Sequence, residues 1–157
     1  MRKLLTAMVL SSCLCTSSLM AEGLTPEDAV ETRQAGFTFM AWNMGRIKAN
    51  LQGDYNAEEV KAAARAIASI SNSGLGMLFI PGSEKSTEDF ETKVKPELFA
   101  PENREQVGKL ARDLAMASRE LAVAAEKGDP AAVKAALGST GRTCKACHDE
   151  FRMEDDD

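Results

Sequence analysis

The chain is poor in the residues that build most metal and nucleophilic sites. Among its 157 residues there is one histidine, His148, and there are four cysteines, Cys13, Cys15, Cys144 and Cys147. No segment alternates apolar and polar residues for long enough to suggest a strand, and there is no internal repeat or low-complexity tract. The apolar run near the N-terminus, Leu4 to Leu14, is too short to cross a bilayer, so no membrane span is expected.

That run reads instead as an export signal. Arg2 and Lys3 supply a positive start, and Ser17 to Ala21 is small or uncharged, with a cut after Ala21. Leu10-Ser11-Ser12-Cys13 resembles a lipoprotein cleavage box and offers a second reading, an anchor at Cys13. The expected division is therefore a signal peptide over 1–21 and one compact domain over 22–157. Removing Arg2 and Lys3 leaves 17 Lys+Arg against 24 Asp+Glu, a net charge of −7, which argues against nucleic acid and anionic membrane as partners. Two of the four cysteines leave with the leader.

Four segments carry helical signals. Thr25-Pro26-Glu27-Asp28 is an N-cap followed by a first-turn proline, and the helix runs from there to about Gln52. Val30, Phe37, Met44 and Leu51 recur every seven residues, with Met40 and Ile47 between them, as on a bundle seam; Arg33 falls on the same stripe. Asn56 with Glu59 predicts a capping box opening a second helix that ends near Asn72. The third helix spans about Pro101 or Glu102 to Glu126, and the fourth starts at Asp129-Pro130 and reaches Arg152, leaving the acidic tail Glu154 to Asp157 to fray. The short connections make helices one and two, and three and four, antiparallel neighbours. The 73–100 connection carries Leu75, Met77, Leu78, Phe79, Leu98 and Phe99, so it is expected to fold against an apolar surface.

The chemistry sits in Cys144-Lys145-Ala146-Cys147-His148. Cys-x-x-Cys-His is the attachment pattern of c-type haem. On a helix, positions i, i+3 and i+4 share a face, so two thiols can reach the vinyl edge of one haem while the imidazole turns under its iron. A thioredoxin-like site would need strands, and a structural zinc would need four Cys or His ligands where three remain. Export and motif agree, because c-type haem is attached outside the cytoplasm.

A Cys-x-x-Cys-His on the last of four helices resembles the class II cytochromes c, specifically cytochrome c′. Pro26-Glu27-Asp28-Ala29-Val30, Arg33-Gln34, Phe79-Ile80-Pro81-Gly82-Ser83, Lys95-Pro96-Glu97-Leu98-Phe99 and Cys144 to Arg152 are similar to that family's segments. The resemblance implies an all-α fold, an antiparallel up-down-up-down four-helix bundle of which cytochrome c′ is a standard example. It implies one covalent haem c on Cys144 and Cys147 with His148 on the iron, Arg33 at a haem propionate, Phe79 in the cofactor-binding loop and Arg152 on the proximal face. It places Phe37, four residues after Arg33, over the distal face. Phe37 cannot ligate, which implies a five-coordinate, high-spin iron that admits small diatomic gases such as nitric oxide.

The rival reading is a low-spin electron carrier with Met40, one turn on, or another methionine as sixth ligand. A peroxidase is disfavoured, since no distal His or Arg stands ready for acid–base chemistry, and the chain is read as a binder capable of electron transfer to a redox partner rather than as an enzyme. Phe39 and Trp42 lie off the seam and suggest either a homodimer interface or packing under the long loop.

Overall fold

The computed structural model describes residues 23–154. The expected leader, its cut after Ala21, the alternative at Cys13 and the last three residues of the acidic tail lie outside the described residues. Four helices form as expected: α1 Pro26–Gln52, α2 Ala57–Ser71, α3 Arg104–Lys127 and α4 Pro130–Phe151. Among the described residues the only strand-like element is an isolated antiparallel bridge between Val94 and Arg152.

The helix starts follow from local chemistry. The Thr25 hydroxyl accepts from the Asp28 N–H at 3.1 Å and donates to the Asp28 carboxylate at 2.6 Å, so Asp28 answers the cap. Asp129 caps α4 by accepting from the Ala131 N–H, with Pro130 at the first helical position. α3 closes on Gly128 with φ +69°, a left-handed cap that glycine adopts without penalty. Its start differs from expectation: Pro101–Asn103 is a 3₁₀ turn, and the α-helix proper begins at Arg104.

The capping box of α2 is half formed. Asn56 accepts from the Glu58 and Glu59 N–H groups, but its own N–H donates to Asn50 Oδ1 at 2.9 Å. Glu59 turns away to pair with Arg46 at 3.1 Å. A buried asparagine on α1 thus takes the place that Glu59 was expected to fill.

The core is built from Met40 and Ile47 on α1, Val60, Ala63, Ala64 and Ile67 on α2, Leu121, Ala124 and Ala125 on α3, and Val133 on α4. The alanines let the helix backbones approach, and two polar links cross the same interfaces. Ser71 and Ser118 share a hydrogen bond of 2.5 Å between α2 and α3, and the Thr140 hydroxyl of α4 donates to the Ala117 carbonyl of α3 at 3.3 Å. On the α1 seam Val30, Met40 and Ile47 are buried, while Phe37, Met44 and Leu51 are only half-buried.

The bundle is not closed evenly. α1 packs on α2, α2 on α3 and α3 on α4 extensively, but α4 meets α1 sparsely. The 73–100 connection folds over the end of the bundle that holds the start of α1 and the end of α4. Its 3₁₀ turn Leu75–Leu78 packs on α1. There a side chain on Gly36 would meet Leu75 at 3.2 Å, so a glycine permits the close approach. The expectation that this connection folds against an apolar surface holds for Leu98, which is buried, and for Leu75, Leu78, Phe79 and Phe99, which are half-buried, but not for Met77, which is 76% exposed.

Candidate haem site

Cys144, Cys147 and His148 lie in the last two turns of α4, at the spacing that puts them on neighbouring turns. Both cysteines are half-buried free thiols, not a disulfide. Burial pushes both above the ordinary cysteine range, Cys147 with help from its neighbour Cys144. His148 is exposed overall, but partial burial of its ring, reinforced by the positive charge of Arg152 and opposed by Asp149, holds its pKa below the ordinary imidazole value. The neutral ring is the form that binds a metal. Among the described residues no group of three or more His, Cys, Asp or Glu side chains could hold a metal ion directly. Two free thiols and one imidazole on the end of a helix are donors that a haem bonded through sulfur would use.

The opposite wall comes from α1. Met44 reaches α4 beside Gly141, where an added side chain would lie 3.9 Å from the methionine methyl. That contact is three residues before Cys144, on the sparsely packed side of the bundle. Phe37 stands two turns earlier on α1, half-buried against the core. Met40 does not belong to this wall. It is 4% exposed and sits in the central core among Ile47, Ile67 and Leu121, which corrects its reading as a candidate sixth ligand: its side chain is committed to packing between helices.

The Arg33 guanidinium makes four hydrogen bonds at this end of the molecule. Its Nη1 donates to the Leu78 carbonyl at 3.3 Å and to Ser83 Oγ at 2.8 Å. Its Nη2 donates to the Ser83 carbonyl at 2.7 Å and to Thr92 Oγ1 at 2.5 Å. The Phe79 ring lies 4.9 Å beneath the guanidinium. Arg33 is 2% exposed, and burial pulls its pKa down while the charge of Glu84 works against that. All four of these acceptors are neutral. The hydrogen bonds thus solvate the cation without neutralising it, Glu84 of the loop offsets its charge in part, and a further anionic group nearby would be stabilised. Sequence reasoning placed Arg33 correctly on the buried stripe but missed its partners Ser83 and Thr92; the signal available was a seam arginine facing a connection with hydroxyl residues.

Arg152 is the C-cap of α4, exposed, and its N–H donates to the His148 carbonyl at 3.0 Å. Phe39 and Trp42 are 48% and 56% exposed, stacked with ring centroids 5.4 Å apart, and Arg46 lies over the Trp42 ring. Both rings are open to solvent rather than covered by the loop.

The sequence pattern of cytochrome c′ matches residues 28–152. The cytochrome c′ of Allochromatium vinosum is 52% identical over 149 residues, covering 95% of this chain and 96% of that one. A solved cytochrome c′ with ligand-controlled dimer dissociation is 53% identical, with a TM-score of 0.81, covering 84% of this chain and 99% of the other. Structures of Alcaligenes xylosoxidans cytochrome c′ variants, one with carbon monoxide (30% identical, TM-score 0.71) and one ferrous with nitric oxide (28%, 0.72), each cover 83% of this chain and 98% of theirs. A four-helix bundle ending in Cys144-x-x-Cys147-His148, matched along almost its whole length by such relatives, belongs to the cytochrome c′ family and is a haem c protein.

Proposed function

We propose that Cys144 and Cys147 hold the haem through thioethers, that His148 is the one protein ligand of its iron, and that Phe37 covers an open sixth position where nitric oxide or a similar diatomic binds. The haem supplies the gas-binding and one-electron chemistry, and the chain supplies attachment, orientation and exclusion of water. The observation that carries this reading lies on α1: Met40 is buried in the core, and Phe37, half-buried one turn after Arg33, cannot ligate. Arg33, held by the loop, carries the positive charge that suits a propionate, and Phe79 supports it. Arg33 is also too engaged to serve acid–base chemistry on a peroxide, which favours a binder with secondary electron transfer over an enzyme. Carbon monoxide and nitric oxide in the relatives from Alcaligenes xylosoxidans support the gas.

An incoming ligand must tilt the Phe37 ring and lose contacts of order 1–3 kcal/mol, a factor of roughly ten to a hundred in affinity. Nitric oxide bonds ferrous haem strongly enough to tolerate that loss, whereas carbon monoxide shows it. Phe37→Ala should therefore raise carbon monoxide affinity by about ten-fold or more, with a smaller gain for nitric oxide. Equal affinity in the variant and the parent, measured by titration of the ferrous protein, would refute Phe37 as the cover.

The same reading places the mature domain over 22–157, in the periplasm after removal of the leader, with a redox partner protein as a secondary contact. No helix among the described residues is long and apolar enough to cross a membrane. The stacked Phe39 and Trp42 supply the interface of a homodimer, an assembly that the relative with ligand-controlled dimer dissociation also forms. Phe39→Ser with Trp42→Gln should give a monomer that keeps its haem. A monomeric parent at about tens of micromolar in sedimentation would rule the dimer out.

A further inference from the structure

α1 and α4 meet sparsely, and the long loop bonds to both of them at the haem end. Five consecutive residues of the long loop, 91–95, span that distance. On the α1 side, Thr92 Oγ1 accepts from Arg33, and the Gln34 amide donates to the Glu91 carbonyl at 2.7 Å. On the α4 side, the Lys95 N–H donates to the Phe151 carbonyl at 2.9 Å, and the Met153 N–H donates to the Lys93 carbonyl at 2.8 Å. The Lys95 ammonium adds a bond to the Glu150 carbonyl at 3.2 Å. Val94 and Arg152 form the bridge between these bonds, and the Arg152 N–H closes on the carbonyl of His148. Thr92 is 3% exposed and is fixed within the loop as well, since its N–H donates to Ser86 Oγ at 3.0 Å.

We infer that Thr92 and the strap Lys93–Lys95 are positioning residues for His148, coupling the α1 turn that precedes Phe37 to the last turn of α4. The inference rests on the assignment of His148 as axial ligand and Phe37 as distal cover. The α1 turn at Arg33 lies one turn before Phe37, so movement of Phe37 by an entering ligand pulls on the strap. The strap ends on the backbone that holds the His148 carbonyl. A shift on the distal side is thereby delivered to the proximal histidine through the five hydrogen bonds of the strap and the Arg152–His148 bond, without passing through the cofactor.

The test uses the full haem-loaded protein. Thr92→Val keeps the shape and removes the acceptor for Arg33; Thr92→Ser keeps the hydroxyl. Amide hydrogen exchange at Lys95, Arg152 and Met153 should be roughly ten-fold faster in the valine variant and near the parent rate in the serine variant. The iron–histidine stretching band of the ferrous protein, read by resonance Raman, should shift or broaden in the valine variant and return in the serine variant. Gln34→Ala, an exposed change that removes only the bond to Glu91, should act in the same direction with a smaller effect, and it serves if Thr92→Val does not fold. Unchanged exchange at the three amides would overturn the proposal. So would faster exchange with an unchanged band, because the strap would then be structural only. An unmodified protein with no iron–histidine band would overturn the site reading itself, and the inference with it.

Discussion

Replacing Arg33 with methionine should lower the thermal unfolding midpoint by about 10 °C, an effect of about 3 kcal/mol on a domain of this size. The guanidinium is the common donor for Leu78, Ser83 and Thr92, with Ser83 fully buried and Thr92 nearly so. Methionine fills the space but donates nothing, and each buried acceptor left unpaired costs about 1–3 kcal/mol. Relief of the buried charge offsets part of that sum, which is why the net is set well below the total. Arg33→Lys should fall between, because one ammonium cannot reach acceptors on both sides of the loop. Thermal unfolding followed by circular dichroism decides it: a shift of less than about 2 °C in the methionine variant would show that the loop holds without its central donor.

Removing both sulfurs should have an all-or-none effect. Cys144→Ala combined with Cys147→Ala leaves His148 and Phe37 in place but removes the covalent anchor. Acid–acetone extraction should strip all haem from this variant and none from the parent, and the denatured parent should exceed its processed chain mass by one haem. Each single replacement should retain haem through the remaining thioether. The helices should persist, since the half-buried cysteines contribute little to a core centred on Ile47, Ile67 and Leu121. Haem resisting extraction from the double variant would place its attachment elsewhere.

The elements that were legible in the sequence are those dictated by local chemistry. Thr25 with Pro26 and Asp129 with Pro130 marked two helix starts because capping needs only neighbours in the chain. Cys144, Cys147 and His148 were legible because helical spacing alone brings them together. The exchange at α2, where Asn50 takes the Asn56 N–H and Glu59 goes to Arg46, was not legible, since it depends on how α1 and α2 pack. The 3₁₀ turn before Arg104 differs from an α-helix by one hydrogen-bond register, below what residue pattern distinguishes. Met40 could be read from its stripe as core or as ligand; burial among residues of other helices decides for the core. The strap from Thr92 to Lys95 left no periodic trace because its bonds join segments more than fifty residues apart.

The most direct test of the central claim, an open sixth position under Phe37, is the optical spectrum of the purified protein, oxidised and reduced, before and after carbon monoxide. A five-coordinate high-spin iron is the expected result: broad reduced bands, no sulfur-to-iron transition in the oxidised form, and conversion to a six-coordinate complex when carbon monoxide is added. Sharp low-spin reduced bands with a sulfur-to-iron transition, abolished by Met40→Ala and unaffected by Phe37→Ala, would contradict it and make the protein a methionine-ligated electron carrier.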